Sequence, residues 1–64
     1  MSGEQLLTER EAAERLTVST ATLRLWRARG DQGPAYIELG PRAIRYRSSE
    51  LEAWLDEQVV RPRA

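Results

Sequence analysis

The chain has 64 residues, with no cysteine, histidine or lysine, and its ten arginines balance ten acidic side chains to a net charge of zero. A single domain of this size hides only about 60% of the surface its unfolded chain exposes, so there is no room for a deep active-site cleft. Neither disulfides nor a thiolate zinc site can brace the fold, and the commonest general base is missing, which sets catalysis, metals, cofactors and small-molecule ligands aside as expectations. No apolar run approaches the ~20 residues of a membrane span, and "MSGEQLL" lacks the basic start and long apolar region of a signal peptide. The expected location is therefore the cytoplasm, with no membrane partner.

Residues 1–5 are expected to be disordered, followed by one domain over 6–58 and a flexible tail over 59–64. Thr8 and Glu11 form a capping box, Leu7 stands ahead of it as a staple, and Ala12, Ala13 and Leu16 follow at helical spacing. These signals predict a first helix over about 9–16. Thr17 and Val18 interrupt the pattern, and Ser19 supplies a second N-cap for a helix over about 20–29 that ends at Gly30. Two helices joined by so short a turn must cross steeply, as in a helix-turn-helix unit.

The segment "GDQGP" reads as a loop. Tyr36 to Leu39 and Ala43 to Tyr46 each alternate with period two about Gly40, Pro41 and Arg42, which predicts a β-hairpin with Ile37, Leu39, Ile44 and Tyr46 on one face. A last helix starts near Ser48 or Ser49, where Ser49 and Glu52 have capping-box spacing, and carries Leu51, Trp54 and Leu55 inward. The fold class is mainly α with a small β-hairpin, in the order α-α-β-β-α. Its expected core is Leu16, Val18, Leu23, Trp26, Ile37, Leu39, Ile44, Tyr46, Leu51, Trp54 and Leu55.

The zero net charge conceals a pattern. Residues 1–18 and 48–64 each set four acids against two arginines, whereas residues 19–47 hold six arginines against two acids, a net of +4. Arginine is the cation whose planar fork matches phosphates and guanine edges. At about 100° per residue, Ser19, Leu23, Trp26 and Gly30 share the inward side of the second helix, and Ala21, Arg24, Leu25 and Ala28 share the other. A merely solvated face would carry more charge.

The small alanines allow close approach to a major groove, where Arg24 can meet a guanine edge or a phosphate and Leu25 a thymine methyl. Thr20 and Thr22 stand at the helix N-terminus as phosphate ligands, and Arg27 and Arg29 flank the face toward the DNA backbone. Arg42 at the hairpin tip suits a minor groove, and Arg45 alternates outward beside it. A reading of another class makes the domain a protein interaction module, with Leu25, Val59 and Val60 against a partner protein and only weak DNA binding.

Two stretches, "LLTEREAAERLTVSTATLRLWRARG" and "GPAYIELGPRAIRYRSSELEAWL", cover residues 6–55 almost without a break. In their order and spacing they resemble the excisionase-type winged helix-turn-helix family of small phage excisionases and AlpA-like regulators, similar to the DNA-binding domain of MerR-type regulators. Thr17 is a departure, since relatives often have glycine in the turn. The sparse charge of the recognition face, where Arg24 stands alone, is a second.

The resemblance implies that Thr20, Ala21, Arg24, Leu25 and Arg27 enter the major groove. It also implies that Gly40, Pro41, Arg42 and Ala43 form a wing on the backbone or minor groove. Double-stranded DNA is the implied partner, with side-by-side association on repeated sites and DNA bending. Two outputs stay open: a recombination directionality factor that steers a phage or plasmid integrase toward excision, and a small transcriptional regulator of the same fold. Effector sensing and a stable dimer of the MerR type are not expected of this chain.

Overall fold

The structure, a computed structural model, describes residues 3–62. Strand β1 (Leu6–Thr8) leads into helix α1 (Glu9–Leu16) and, after a short turn, helix α2 (Thr20–Arg29). A loop then precedes strands β2 (Ile37–Gly40) and β3 (Ala43–Arg47) and helix α3 (Ser48–Glu57). Residues 1–2 and 63–64, the outer parts of the two expected tails, lie outside the described residues.

Local chemistry sets the helix-turn-helix. The Thr8 hydroxyl accepts from the Glu11 N–H at 3.1 Å, while the Glu11 carboxylate accepts from the Thr8 N–H at 2.9 Å, which closes the expected capping box. At the other end, Thr17 N–H donates to the Glu14 carbonyl at 3.1 Å and Val18 N–H to the Ala13 carbonyl at 3.0 Å, the paired bonds of a Schellman motif. That motif needs a left-handed residue, and Thr17 takes it at φ 56° and ψ 41°. Among the described residues it is the one non-glycine with positive φ. Ser19 then caps α2 by accepting from the Thr22 N–H at 3.1 Å, and Gly30, also left-handed, closes it by donating to the Trp26 carbonyl at 3.0 Å.

Part of the sheet was not expected. Its strand order is β1-β3-β2, antiparallel throughout, with Leu7 opposite Tyr46 and Thr8 opposite Arg45. A three-residue strand has too little length to show a period, and its partner lies near the other end of the domain. Gln5, placed by the sequence in the N-terminal tail, continues the pairing. Its N–H donates to the Ser48 hydroxyl at 2.8 Å, and its carbonyl accepts from the Ser48 N–H at 2.9 Å.

The same junction corrects the start of α3. Because β3 runs into the helix without a loop, Arg47 occupies the cap position and makes no side-chain cap bond. The Ser49–Glu52 box is absent; the Ser49 N–H donates instead to the Glu4 carboxylate at 3.3 Å. The cap comes from a distant segment.

The hairpin register overturns the expected inward face. Glu38 stands opposite Ile44 and Ile37 opposite Arg45, so Ile37 shares a face with Arg45 while Ile44 and Tyr46 point the other way. A one-residue offset moves every side chain to the opposite face. Pro41 and Arg42 make a tight turn with negative φ, unlike the primed turns whose twist suits a hairpin, and a register shift at Glu38/Gly40 takes up the mismatch. Leu39 falls at that irregularity and is 61% exposed, outside the core.

Leu7, Ala12, Ala13, Leu23, Tyr46 and Leu51 are the buried apolar cluster, with Leu16, Val18, Trp26 and Ile44 packed against it. Trp54 and Leu55 are half-buried, and the Trp54 ring lies 5.4 Å from that of Trp26. A Cβ on Gly33 would meet Trp26 at 3.0 Å, and Gly33 has φ +90°, so this loop position requires glycine. Three helices and a three-stranded antiparallel sheet make a small winged helix-turn-helix, the wing being the β2–β3 hairpin.

Candidate nucleic-acid interface

Helix α2 presents two unlike sides. Leu23 is fully buried and Trp26 half-buried, whereas Ala21, Arg24, Leu25, Ala28 and Arg29 are exposed, as the helical period requires. Along the outward side the backbone is shielded by little more than methyl groups, with Leu25 and the Arg24 guanidinium standing above them. An edge of base pairs can approach such a surface closely.

At the N-terminus of α2, Thr20 and Thr22 are half-buried, and the Thr22 hydroxyl already lies 3.0 Å from the Ser19 hydroxyl. The sequence placed both threonines toward phosphate; in the structure Thr22 takes part in the cap. At the wing, Pro41 and Arg42 are exposed, Gly40 and Ala43 half-buried, and among the described residues Arg42 makes no ion pair. Arg45 lies on the sheet face with Thr8 and Ile37, and its guanidinium donates to the Ile44 carbonyl at 2.9 Å.

The family model of the helix-turn-helix domain matches residues 6–59, from the first strand through the last helix. The chain belongs to the helix-turn-helix domain family. No curated protein and no solved structure matches it. A helix-turn-helix domain binds double-stranded DNA.

One expected DNA contact of this helix-turn-helix domain is corrected by the structure. Arg27 turns inward: its side chain is only 19% exposed, its Nη1 pairs with Glu9 Oε2 and donates to the Tyr46 hydroxyl at 3.2 Å. The guanidinium also lies 5.7 Å from the centroid of the Tyr36 ring, a cation–π distance. Burial would lower the Arg27 pKa, but the bonds to Glu9 and Tyr46 outweigh it and hold the group above its usual value. Burial likewise pushes the Tyr46 hydroxyl up, opposed in part by Arg27.

Glu9 is the residue that sequence reasoning missed. Its second oxygen, Oε1, lies 3.8 Å from Arg24 Nε, so one carboxylate faces two of the three arginines of α2. Nothing local signals this, because Glu9 reads as an ordinary acidic residue in the first turn of a helix.

An open groove of about 780 Å³ runs between the C-terminal ends of α2 and α3 beside Trp26, Tyr36 and Trp54. None of Ala21, Arg24, Leu25 or Ala28 lines it. Among the described residues, no helix is long and apolar enough to cross a membrane.

Proposed function

We propose that this protein is a non-enzymatic, sequence-specific DNA-binding factor of the excisionase type, which directs a phage or plasmid integrase toward excision. The observation that carries the reading is the outward side of α2, where Ala21, Arg24, Leu25 and Ala28 are exposed together on the recognition helix of a winged helix-turn-helix. In this reading α2 lies in the major groove, with Arg24 on a base edge and Leu25 against a thymine methyl. The wing brings Arg42 to the backbone or minor groove, Arg29 reaches an adjacent phosphate, and Thr20 stands at the phosphate-facing start of the helix. The resemblance over residues 6–55 supports the recombination role and association of neighbouring copies on repeated sites.

The test is selection of bound sequences from a random duplex pool, followed by affinity for the winner at several salt concentrations. The expected result is a repeated site with a steep salt slope, and Arg42→Ala lowering that slope by about one without changing base preference. Added to a recombination reaction containing the element's integrase and the selected site, the protein is expected to raise excision. A site found instead within a promoter, with no effect on excision, assigns the domain to transcriptional regulation. No enrichment and weak binding at low salt reject the DNA reading in favour of a protein partner at Leu25, Val59 and Val60.

A further inference from the structure

Arg24 and Arg27 are one turn apart on α2, and both face Glu9, yet they differ in freedom. The Arg24 side chain is 66% exposed, while Arg27 is held by Glu9, by the Tyr46 hydroxyl and over the Tyr36 ring. Tyr46 is itself among the largest fully buried side chains. A chain of contacts therefore runs from the core, through Arg27 and the Glu9 carboxylate, to the guanidinium on the exposed side of the recognition helix.

The atom that Glu9 faces is informative. It is Arg24 Nε, at 3.8 Å, an ion-pair distance longer than a hydrogen bond. Because the recorded approach of the carboxylate is to Nε, the two terminal nitrogens keep their donors for another partner, and they are the pair that can meet guanine O6 and N7 together. An unrestrained arginine on a helix surface would lose much of its rotamer entropy on binding.

We propose that Glu9 is a positioning residue for base reading: it braces Arg24 from the Nε side and aims the terminal nitrogens at a guanine edge. The proposal rests on the DNA-binding reading of α2. Glu9 acts in two ways that both favour the correct site. Its brace lowers the ordering cost of the guanine contact, and its negative charge, only 20% exposed and close to where DNA would lie, opposes binding that relies on phosphate attraction alone.

The test compares wild type with Glu9→Gln on three duplexes: the selected site, the same site with 7-deazaguanine at each guanine in turn, and an unrelated sequence. Wild type is expected to lose roughly tenfold at one 7-deazaguanine position, the loss of a bidentate partner. Glu9→Gln is expected to lose most of that sensitivity and to bind the unrelated duplex about threefold more tightly, from one fewer negative charge. Arg24→Met, which keeps a long unbranched side chain but removes every donor, should abolish the same 7-deazaguanine effect whatever occupies position 9.

A merely structural Glu9 would change binding to all three duplexes in proportion and leave the 7-deazaguanine ratio at its wild-type value; that result overturns the proposal. Should Glu9→Gln fail to fold, Glu9→Asp keeps a carboxylate for Arg27 while shortening the reach to Arg24, and the same ratio decides. If wild type selects no site, the DNA-binding reading itself has failed. A selected site with no 7-deazaguanine-sensitive position rejects the Glu9 role alone.

Discussion

From Thr8 to Gly30 the polar contacts of the backbone close within a turn or so of where they begin: the Thr8–Glu11 box, the Schellman bonds at Thr17 and Val18, the Ser19 cap and the Gly30 closure. The sheet is built the other way. Gln5 bonds to Ser48 across 43 positions, Glu4 reaches the first turn of α3, and β1 finds its partner in β3. The outward side of α2 thus sits on a locally encoded helix pair, while the frame that carries the hairpin is assembled from both ends of the domain. Arg27 joins the two, with its backbone in α2 and its side chain on Tyr46 of β3.

The largest effect is expected at that joint. Arg27→Ala leaves Glu9 and the Tyr46 hydroxyl without their shared donor and should destabilise the domain by about 2 kcal/mol in denaturant melts. Arg24→Ala, on the exposed side of the same helix, should change stability by no more than about 0.5 kcal/mol yet cost about 1 to 3 kcal/mol in binding to the selected site. Equal stability losses at the two positions would break the distinction between an inward and an outward arginine.

Ser48→Ala probes the long-range half. It strands the Gln5 N–H at the β1–α3 junction, and a loss of about 1.5 kcal/mol is expected by thermal unfolding. Thr17→Gly probes the local half in the opposite direction. Relief of a β-branched residue from the left-handed region, less the added freedom of the unfolded chain, should raise stability by about 1 kcal/mol. A loss on Thr17→Gly would mean that the threonine hydroxyl, which donates to the Leu16 carbonyl, outweighs the backbone strain.

The smallest effect is one of pH. Burial holds the Tyr46 hydroxyl above the ordinary tyrosine value, with Arg27 opposing. The folded protein therefore keeps a proton that the unfolded chain has released, and the side of the equilibrium with more bound protons loses ground as pH rises. Its contribution is fully present below about pH 10, the unperturbed tyrosine value, and fades above it. Denaturant melts on either side of that pH should show stability falling, and Tyr46→Phe should flatten the fall.

Both helix boundaries of the helix-turn-helix were legible in the residues, because caps and closures act between near neighbours. So was the outward side of α2, which follows from helical geometry once the inward leucine and tryptophan are known. The burial of Leu23, Tyr46 and Leu51 was legible too. Ile37 and Leu39 were misplaced because alternation shows two faces of a strand without saying which is inward; the register against β3 and its irregularity decide that.

Residues close together along the chain therefore set the helices, the caps of the first two, the position of the hairpin turn and the basic middle segment. Tertiary structure alone decided that Gln5 and Ser48 share two hydrogen bonds, that Glu4 replaces the Ser49–Glu52 box, and that Leu39 is exposed. It also decided which of Arg24 and Arg27 packs into the fold and which stays on the surface. Arg24 and Arg27 are the same side chain three positions apart, and only the placement of Glu9, Tyr36 and Tyr46 around α2 separates them. Ion pairs and aromatic contacts depend on distances in space that no local pattern encodes.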